Sequence, residues 1–336
     1  MGKVGPSPTK ATWSAKITAF RMLRRTLLLV CCLVGPWACE RRPSPARPTT
    51  ELPAATSAPR APIAASAVKL PTTDAPASTN AINAAVHLPP TLAPGQKVPL
   101  LLLLHGLGTS AEDIQRTDWP SFAESNGIAW LAPNGAVDTH GRRFWDAGAT
   151  CCNFAGPPID HVTALRTLLA QTLERYPIDL ERVFVGGISN GGFMAHRLAC
   201  AAPELIRGVV SISGAGPFDA PSCRDPKSLR VLEVHGDSDP IVSYRGGHLF
   251  QDPKLPQHAS AEKTAADWAA RLGCRGTAVA AEALNLETRY PGNETRVARY
   301  EACERGAVEL WTVTGGNHYL AFYNPAPEVI WQFLNR

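Results

Sequence analysis

The sequence predicts an α/β domain built on a mainly parallel β-sheet, and three observations predict it. Short, unbroken apolar runs recur from residue 98 onward, helix-like stretches lie between them, and chemistry-bearing motifs follow directly on several of the runs. Runs of that kind suit strands buried on both faces, as strands are in a parallel sheet covered by helices.

In chain order, residues 84–88 read as a strand, and 98–104 form a continuous apolar run that ends at His105-Gly106. Further strand-like runs cover 128–131, 183–185, 209–212, 231–234 and 308–313. Residues 160–176 carry Val162, Leu165, Leu168, Leu169 and Leu173 at helical spacing. Residues 260–272 repeat the pattern with Ser260 as N-cap, and 328–334 close the chain as a helix. No internal repeat and no long helical insertion is visible.

The region before this domain has a different composition. Arg24-Arg25 precedes a short apolar run, 26–34, that is too short to span a bilayer but suits an export signal. Ala38-Cys39 resembles a bacterial lipoprotein cleavage site with Cys39 as the lipidated residue, although Pro36 stands where leucine is usual. Cleavage without lipid is the alternative. Met22 lies directly before the signal and is the expected start. Residues 39–79 are rich in Pro, Ala, Thr and Ser and bury too little to fold, so they read as a tether. The expected organisation is therefore a signal over 1–38, a tether over 39–79 and one catalytic domain over 80–336.

The formal charge of +4 comes from the leader, where residues 1–38 hold six basic residues and no acidic one. The remainder is close to neutral, which argues against a nucleic-acid partner. The nine His are scattered, with no metal-ligand spacing, and no cofactor motif occurs. Six cysteines follow the leader: Cys151, Cys152, Cys200, Cys223, Cys274 and Cys303. An even number in an exported chain argues for disulfides. Cys274 and Cys303 bracket a polar, insert-like stretch and are expected to pair. The remaining four are left open, except that Cys151–Cys152 is excluded because adjacent residues close a strained ring.

Four motifs sit where a parallel sheet gathers function, at the carboxyl ends of strands. Gly187-Ile188-Ser189-Asn190-Gly191 joins an apolar run to a helix-like one, the setting of a nucleophile elbow that exposes the Ser189 hydroxyl. His105-Gly106-Leu107-Gly108 ends the first buried run. The backbone N–H groups of Leu107 and Asn190 are the expected oxyanion donors. His235-Gly236-Asp237-Ser238-Asp239 offers two carboxylates. Asp239, further beyond the strand, is the one expected to orient a histidine, with Asp237 as a turn residue. Gly315-Gly316-Asn317-His318 supplies the general base. The order Ser189, Asp239, His318 is that of the α/β-hydrolases. His105, His196 and His235 fall out of that order and read as local hydrogen-bonding residues. Trp145 and Tyr319 are candidates for an aromatic wall against the substrate.

With these residues on the page, the chain resembles the secreted esterases grouped with polyhydroxybutyrate depolymerases and with the feruloyl and acetylxylan esterases of carbohydrate esterase family one. The likeness spans residues 80–336. It rests on the motifs above together with Phe144-Trp145-Asp146, Cys151-Cys152, Leu198-Ala199-Cys200, Trp268 and Gly273-Cys274. Leu107 after His-Gly, His161 after Asp160, and Tyr319-Leu320 after the histidine depart from the family pattern. The resemblance implies an α/β-hydrolase fold without a large cap. It also implies a serine esterase acting on feruloyl or acetyl polysaccharide esters or short hydroxybutyrate esters without a cofactor; a monomer is expected. A peptidase or thioesterase on the same fold, and a non-catalytic surface lipoprotein, are the other readings.

Overall fold

The computed structural model describes residues 82–216, 223–322 and 325–336. The signal, the start at Met22, Cys39 and the tether lie outside the described residues.

The first half of the domain runs β1 (Val98–Leu104), α1 (Ala111–Ile114), α2 (Asp118–Ser125), β2 (Ala129–Leu131), β3 (Ala136–Val137), β4 (Arg143–Phe144) and α3 (His161–Arg175). It continues through β5 (Ile178–Ile188), α4 (Asn190–Ala201), β6 (Gly208–Ile212), β7 (Leu229–Gly236), β8 (Gly247–His248) and β9 (Gln257–His258). The last part is α5 (Ala261–Arg271), β10 (Val279–Leu284), β11 (Thr295–Tyr300), β12 (Gly306–Val313) and α6 (Ala326–Leu334).

Eight strands form one sheet in the order β10-β11-β12-β7-β6-β5-β1-β2. From β12 to β2 all neighbours are parallel, and β10 and β11 add an antiparallel edge. Two cores follow from the two-residue period of a strand. Leu100, Leu102 and Leu104 pack on the face that holds Leu165, Leu169 and Leu198. Leu101 and Leu103 pack on the opposite face with Ile330 and Phe333. Asp160 caps α3 by accepting from the Thr163 N–H, and Ser260 caps α5 by accepting from the Lys263 N–H. Among the described residues, no helix is long and apolar enough to cross a membrane.

Three expectations need correction. Residues 84–88 are not a full strand: the pairing is confined to isolated bridges at Val86 and His87, the latter exchanging backbone bonds of 2.9 and 3.0 Å with Trp130. Pro89 and Pro90 follow at once, and they lack the N–H groups a ladder needs. The stretch between Cys274 and Cys303 is not an insert but the β10–β11 hairpin. Its edge strand is half-exposed, so its sequence carries no clean apolar pattern. The excluded Cys151–Cys152 bridge is present, with the two Cα atoms 3.1 Å apart: the strain of a ring between neighbours, on which the exclusion rested, does not prevent it. Cys200 pairs with Cys223, and Cys274 with Cys303 as expected.

Candidate active site

Ser189 stands between β5 and α4 with φ 53° and ψ −120°, a conformation that L-residues avoid. Two glycines make the turn possible. A Cβ at Gly187 would lie 2.1 Å from the Gly191 carbonyl oxygen, and one at Gly191 would lie 2.1 Å from that of Leu104. Neither backbone can yield, so glycine is required at both positions. The Ser189 N–H donates to the Ile212 carbonyl at 2.7 Å, which ties the elbow to β6.

His318 and Asp239 meet this serine at the same carboxyl-end edge of the sheet, from the loops after β12 and β7. His318 Nε2 lies 2.8 Å from Ser189 Oγ, and His318 Nδ1 lies 2.7 Å from Asp239 Oδ2. All three sequence-predicted residues are therefore joined in one hydrogen-bonded line. Asp239 Oδ1 accepts from the N–H groups of Ile241 (2.8 Å) and Val242 (2.9 Å), so the carboxylate cannot rotate freely. Burial pushes this carboxyl group up, but the imidazole donors of His235 and His318 outweigh it and hold it below the usual carboxylate range. Asp237 does other work: it accepts from the Gly315 N–H at 2.8 Å and pairs with Arg296 at 3.3 Å.

The His105–Gly108 loop runs beside the elbow, since a Cβ at Gly106 would stand 3.7 Å from the Ser189 Cβ. Asn190 is the first residue of α4, so its N–H has no acceptor within the helix. The Leu107 N–H has no acceptor among the described residues. Both amides are thus available beside the serine. The Asn190 side chain is used differently: its oxygen accepts from the Trp145 N–H at 2.7 Å and its amide donates to the Trp145 carbonyl at 2.8 Å. The loop that carries Cys151 and Cys152 is fastened to the elbow in this way.

The two aromatic candidates part company. Trp145 is fully buried, and its indole N–H donates to the His105 carbonyl at 3.0 Å. It has no face to offer a substrate, so its assignment as a substrate contact is corrected to a packing role. Tyr319 is 69% exposed and stands edge-on to His318, with ring centroids 5.1 Å apart.

The sequence reading missed two groups. Buried Glu287 holds Arg289 at 3.0 Å and accepts from the Ala321 N–H at 3.1 Å, while Arg289 donates to the Tyr319 carbonyl. The Tyr290 hydroxyl donates to the Gly315 carbonyl at 2.7 Å. The connection between β10 and β11 therefore latches the loop that carries His318. The second group is Glu233, wholly buried on β7 beside His196 and His235. Its signal was present in the sequence as an acid inside an apolar strand run.

An apolar cavity of about 270 Å³ lies under the sheet and is lined in part by Ile114, Trp119, Ile188, Leu320 and Ile330. None of Ser189, Asp239 and His318 lines it, although Gly187 and Ile188 beside the serine and Leu320 near the histidine do. Among the described residues, no group of three His, Cys, Asp or Glu side chains is arranged to hold a metal ion.

The sheet order, the elbow after β5 and the loops after β7 and β12 define an α/β-hydrolase fold. The family model described as phospholipase/carboxylesterase matches residues 159–263. The chain is 25% identical over 260 residues to feruloyl esterase D of Neurospora crassa, covering 75% of this chain and 80% of that one. It is 26% identical over 227 residues to feruloyl esterase B of Piromyces equi (66% and 39%). It is 34% identical over 134 residues to the poly(3-hydroxybutyrate) depolymerase of Ralstonia pickettii (37% and 27%). Several curated relatives are matched over less than half of their own length, from 22% to 44%. Among solved structures, the acetyl xylan esterase of Aspergillus awamori superposes with a TM-score of 0.54 at 14% identity, covering 76% of this chain and 94% of that one. These relatives belong to the esterase group that the sequence motifs resemble.

Proposed function

We propose that the protein is a serine esterase that works through an acyl-enzyme. The observation that carries this reading is the line Ser189–His318–Asp239, with contacts of 2.8 and 2.7 Å on a serine held at positive φ. His318 Nε2 takes the hydroxyl proton as Ser189 Oγ attacks the ester carbonyl. The N–H groups of Leu107 and Asn190 receive the oxyanion. Collapse expels the alcohol, which leaves with the proton from His318. Water then enters by the same route in reverse and releases the acid. Asp239 stays ionised throughout and stabilises the imidazolium.

The names of the relatives support feruloyl or acetyl esters of polysaccharides and short hydroxybutyrate esters as substrates. The leader and Cys39 support export, with the lipid anchor as a further step. The direct test is hydrolysis of methyl ferulate, an acetylated xylan oligomer, a hydroxybutyrate oligomer and a short p-nitrophenyl ester, each beside Ser189→Ala. The variant is expected to lose several orders of magnitude in kcat while folding normally. Near wild-type turnover in Ser189→Ala would sink the mechanism. A 37% identity over 87 residues to acyl-protein thioesterase 1 of Mycosarcoma maydis, covering 25% of this chain, makes a thioester the fifth substrate to include.

A further inference from the structure

Asp239 is a buried carboxylate, and among the described residues no lysine or arginine pairs with it. Its counter-charge must come from elsewhere. Glu233 and His235 lie two residues apart on β7 and so share one face of the sheet. Both are buried.

The hydrogen bonds around them fix the protons. The Trp268 indole N–H can only donate, and it meets His196 Nδ1 at 3.0 Å. His196 Nδ1 is therefore an acceptor, so the ring carries its proton on Nε2. That nitrogen faces Glu233 Oε2 at 2.8 Å. The other Glu233 oxygen faces His235 Nδ1 at 3.2 Å. The second His235 nitrogen, Nε2, meets the Val242 carbonyl at 2.8 Å and Asp239 Oδ2 at 3.3 Å. Both ring nitrogens of His235 thus face acceptors, which a neutral imidazole, with one N–H, cannot satisfy. Asp239 Oδ2 is the same oxygen that receives His318 Nδ1.

We propose that His235 is a standing imidazolium clamped between Glu233 and Asp239, and that this pair positions and charge-balances the carboxylate behind His318. The line of contacts is continuous from Trp268 on α5 to Ser189. At rest, Glu233, His235 and Asp239 together carry one negative charge. When His318 takes the serine proton, the line becomes neutral. His235 is a positioning residue, since it acts through Asp239 and touches no reacting atom. The other groups facing it are the Tyr244 ring, edge-on at 5.9 Å, and His258, whose Nδ1 is committed to the Ala259 carbonyl at 2.9 Å. Thr312 is its neighbour on β12 and binds the Tyr244 hydroxyl at 2.9 Å. Burial disfavours the His235 cation, but hydrogen bonds from its ring to Asp239 and Glu233 override it and raise the pKa to about 9.

The inference rests on the serine-esterase reading, and its test has an arm that needs no activity. Nitrogen-15 NMR of histidine-labelled full chain should show His235 protonated on both nitrogens from pH 5 to 8. A singly protonated His235 at pH 7, with the proton on Glu233 instead, would overturn the proposal. The second arm is kinetic. Glu233→Gln removes one negative charge and leaves Asp239 and His318 in place. The acid limb of kcat/KM should move to lower pH by about half a unit to one unit. His235→Gln should lower kcat about tenfold or more with KM within about twofold. An acid limb unmoved in Glu233→Gln, in protein that turns over substrate, would equally defeat it. Loss of activity on every ester in wild-type protein would instead sink the esterase reading and leave the NMR result standing. Because the NMR arm uses the wild-type chain, a variant that fails to fold does not spare the proposal.

Discussion

Buried histidines hold the two halves of the site by different physics, His105 and His161 on one side and His235 on the other. On the elbow side, His105 Nε2 accepts from the Gly135 N–H at 3.0 Å, and His161 Nδ1 accepts from the Asp146 N–H at 2.8 Å. Both rings are neutral struts, and burial pushes both pKa values down, that of His161 to about 4. On the acid side, His235 lies between two carboxylates and its pKa goes up. Ser189 is thus located by backbone contact and sterics, around glycines that admit no Cβ. His318 is located by charge and hydrogen bonding. Damage to the first half should cost folding, and damage to the second should cost rate.

The largest effect expected from that contrast lies within one loop. Asp239→Asn removes the charge behind His318 and should lower kcat by about 10³–10⁴. Asp237→Asn, two residues away, loosens a turn and an exposed ion pair and should cost less than about tenfold. Steady-state kinetics on one ester separate them. Equal losses would mean that the loop acts as a single structural unit and that the choice between the aspartates is wrong.

Next in size is the elbow side. Trp145→Ala empties a fully buried site and breaks the bond to His105, so it should cost about 3–5 kcal/mol of stability. Chemical denaturation of Ser189→Ala with and without this change would measure it. A loss below about 1 kcal/mol would show that the loop behind Asn190 is not what braces the elbow.

Much of this was legible in the chain because each motif is local. Ser189 lies in a turn whose glycines are its neighbours in sequence. Asp239 lies just past β7, and His318 just past β12. The face Trp145 presents was not legible, because it depends on contacts with Asn190 and His105, which lie 45 and 40 residues away. The latch on the His318 loop was hidden for the same reason, since Glu287 and Ala321 are 34 residues apart. The β10–β11 hairpin escaped because an edge strand needs no apolar alternation to pair. The Cys151–Cys152 bridge escaped because ring strain between neighbours argues against it, and strain alone does not forbid it.

The two histidine sets also predict opposite pH limits. His161 has its pKa depressed on folding, so the unfolded chain takes up the proton first as pH falls. Stability should decline between about 6.5 and 4 on its account. His235 has its pKa raised, so its contribution is full below about 6.5 and is lost as pH rises through about 9. The melting temperature of Ser189→Ala across pH 4 to 10 should therefore form a dome, highest near neutrality. Glu233→Gln should flatten its alkaline side only. A profile that rises steadily to pH 10 would contradict the charged assignment of His235.

The smallest effect expected is at Tyr319, the counterpart of Trp145 across the site. Its ring is mostly in solvent, so Tyr319→Ala should change stability by less than about 0.5 kcal/mol. Its edge contact with His318 leaves one face free for an aromatic acyl group, an interaction worth about 0.5–1.5 kcal/mol. KM for methyl ferulate should therefore rise a few-fold while an acetyl ester is unaffected. An equal fall in kcat on both esters would carry a different meaning: the ring would then be steering His318, and the solvent-facing aromatic would belong to the base rather than to the substrate.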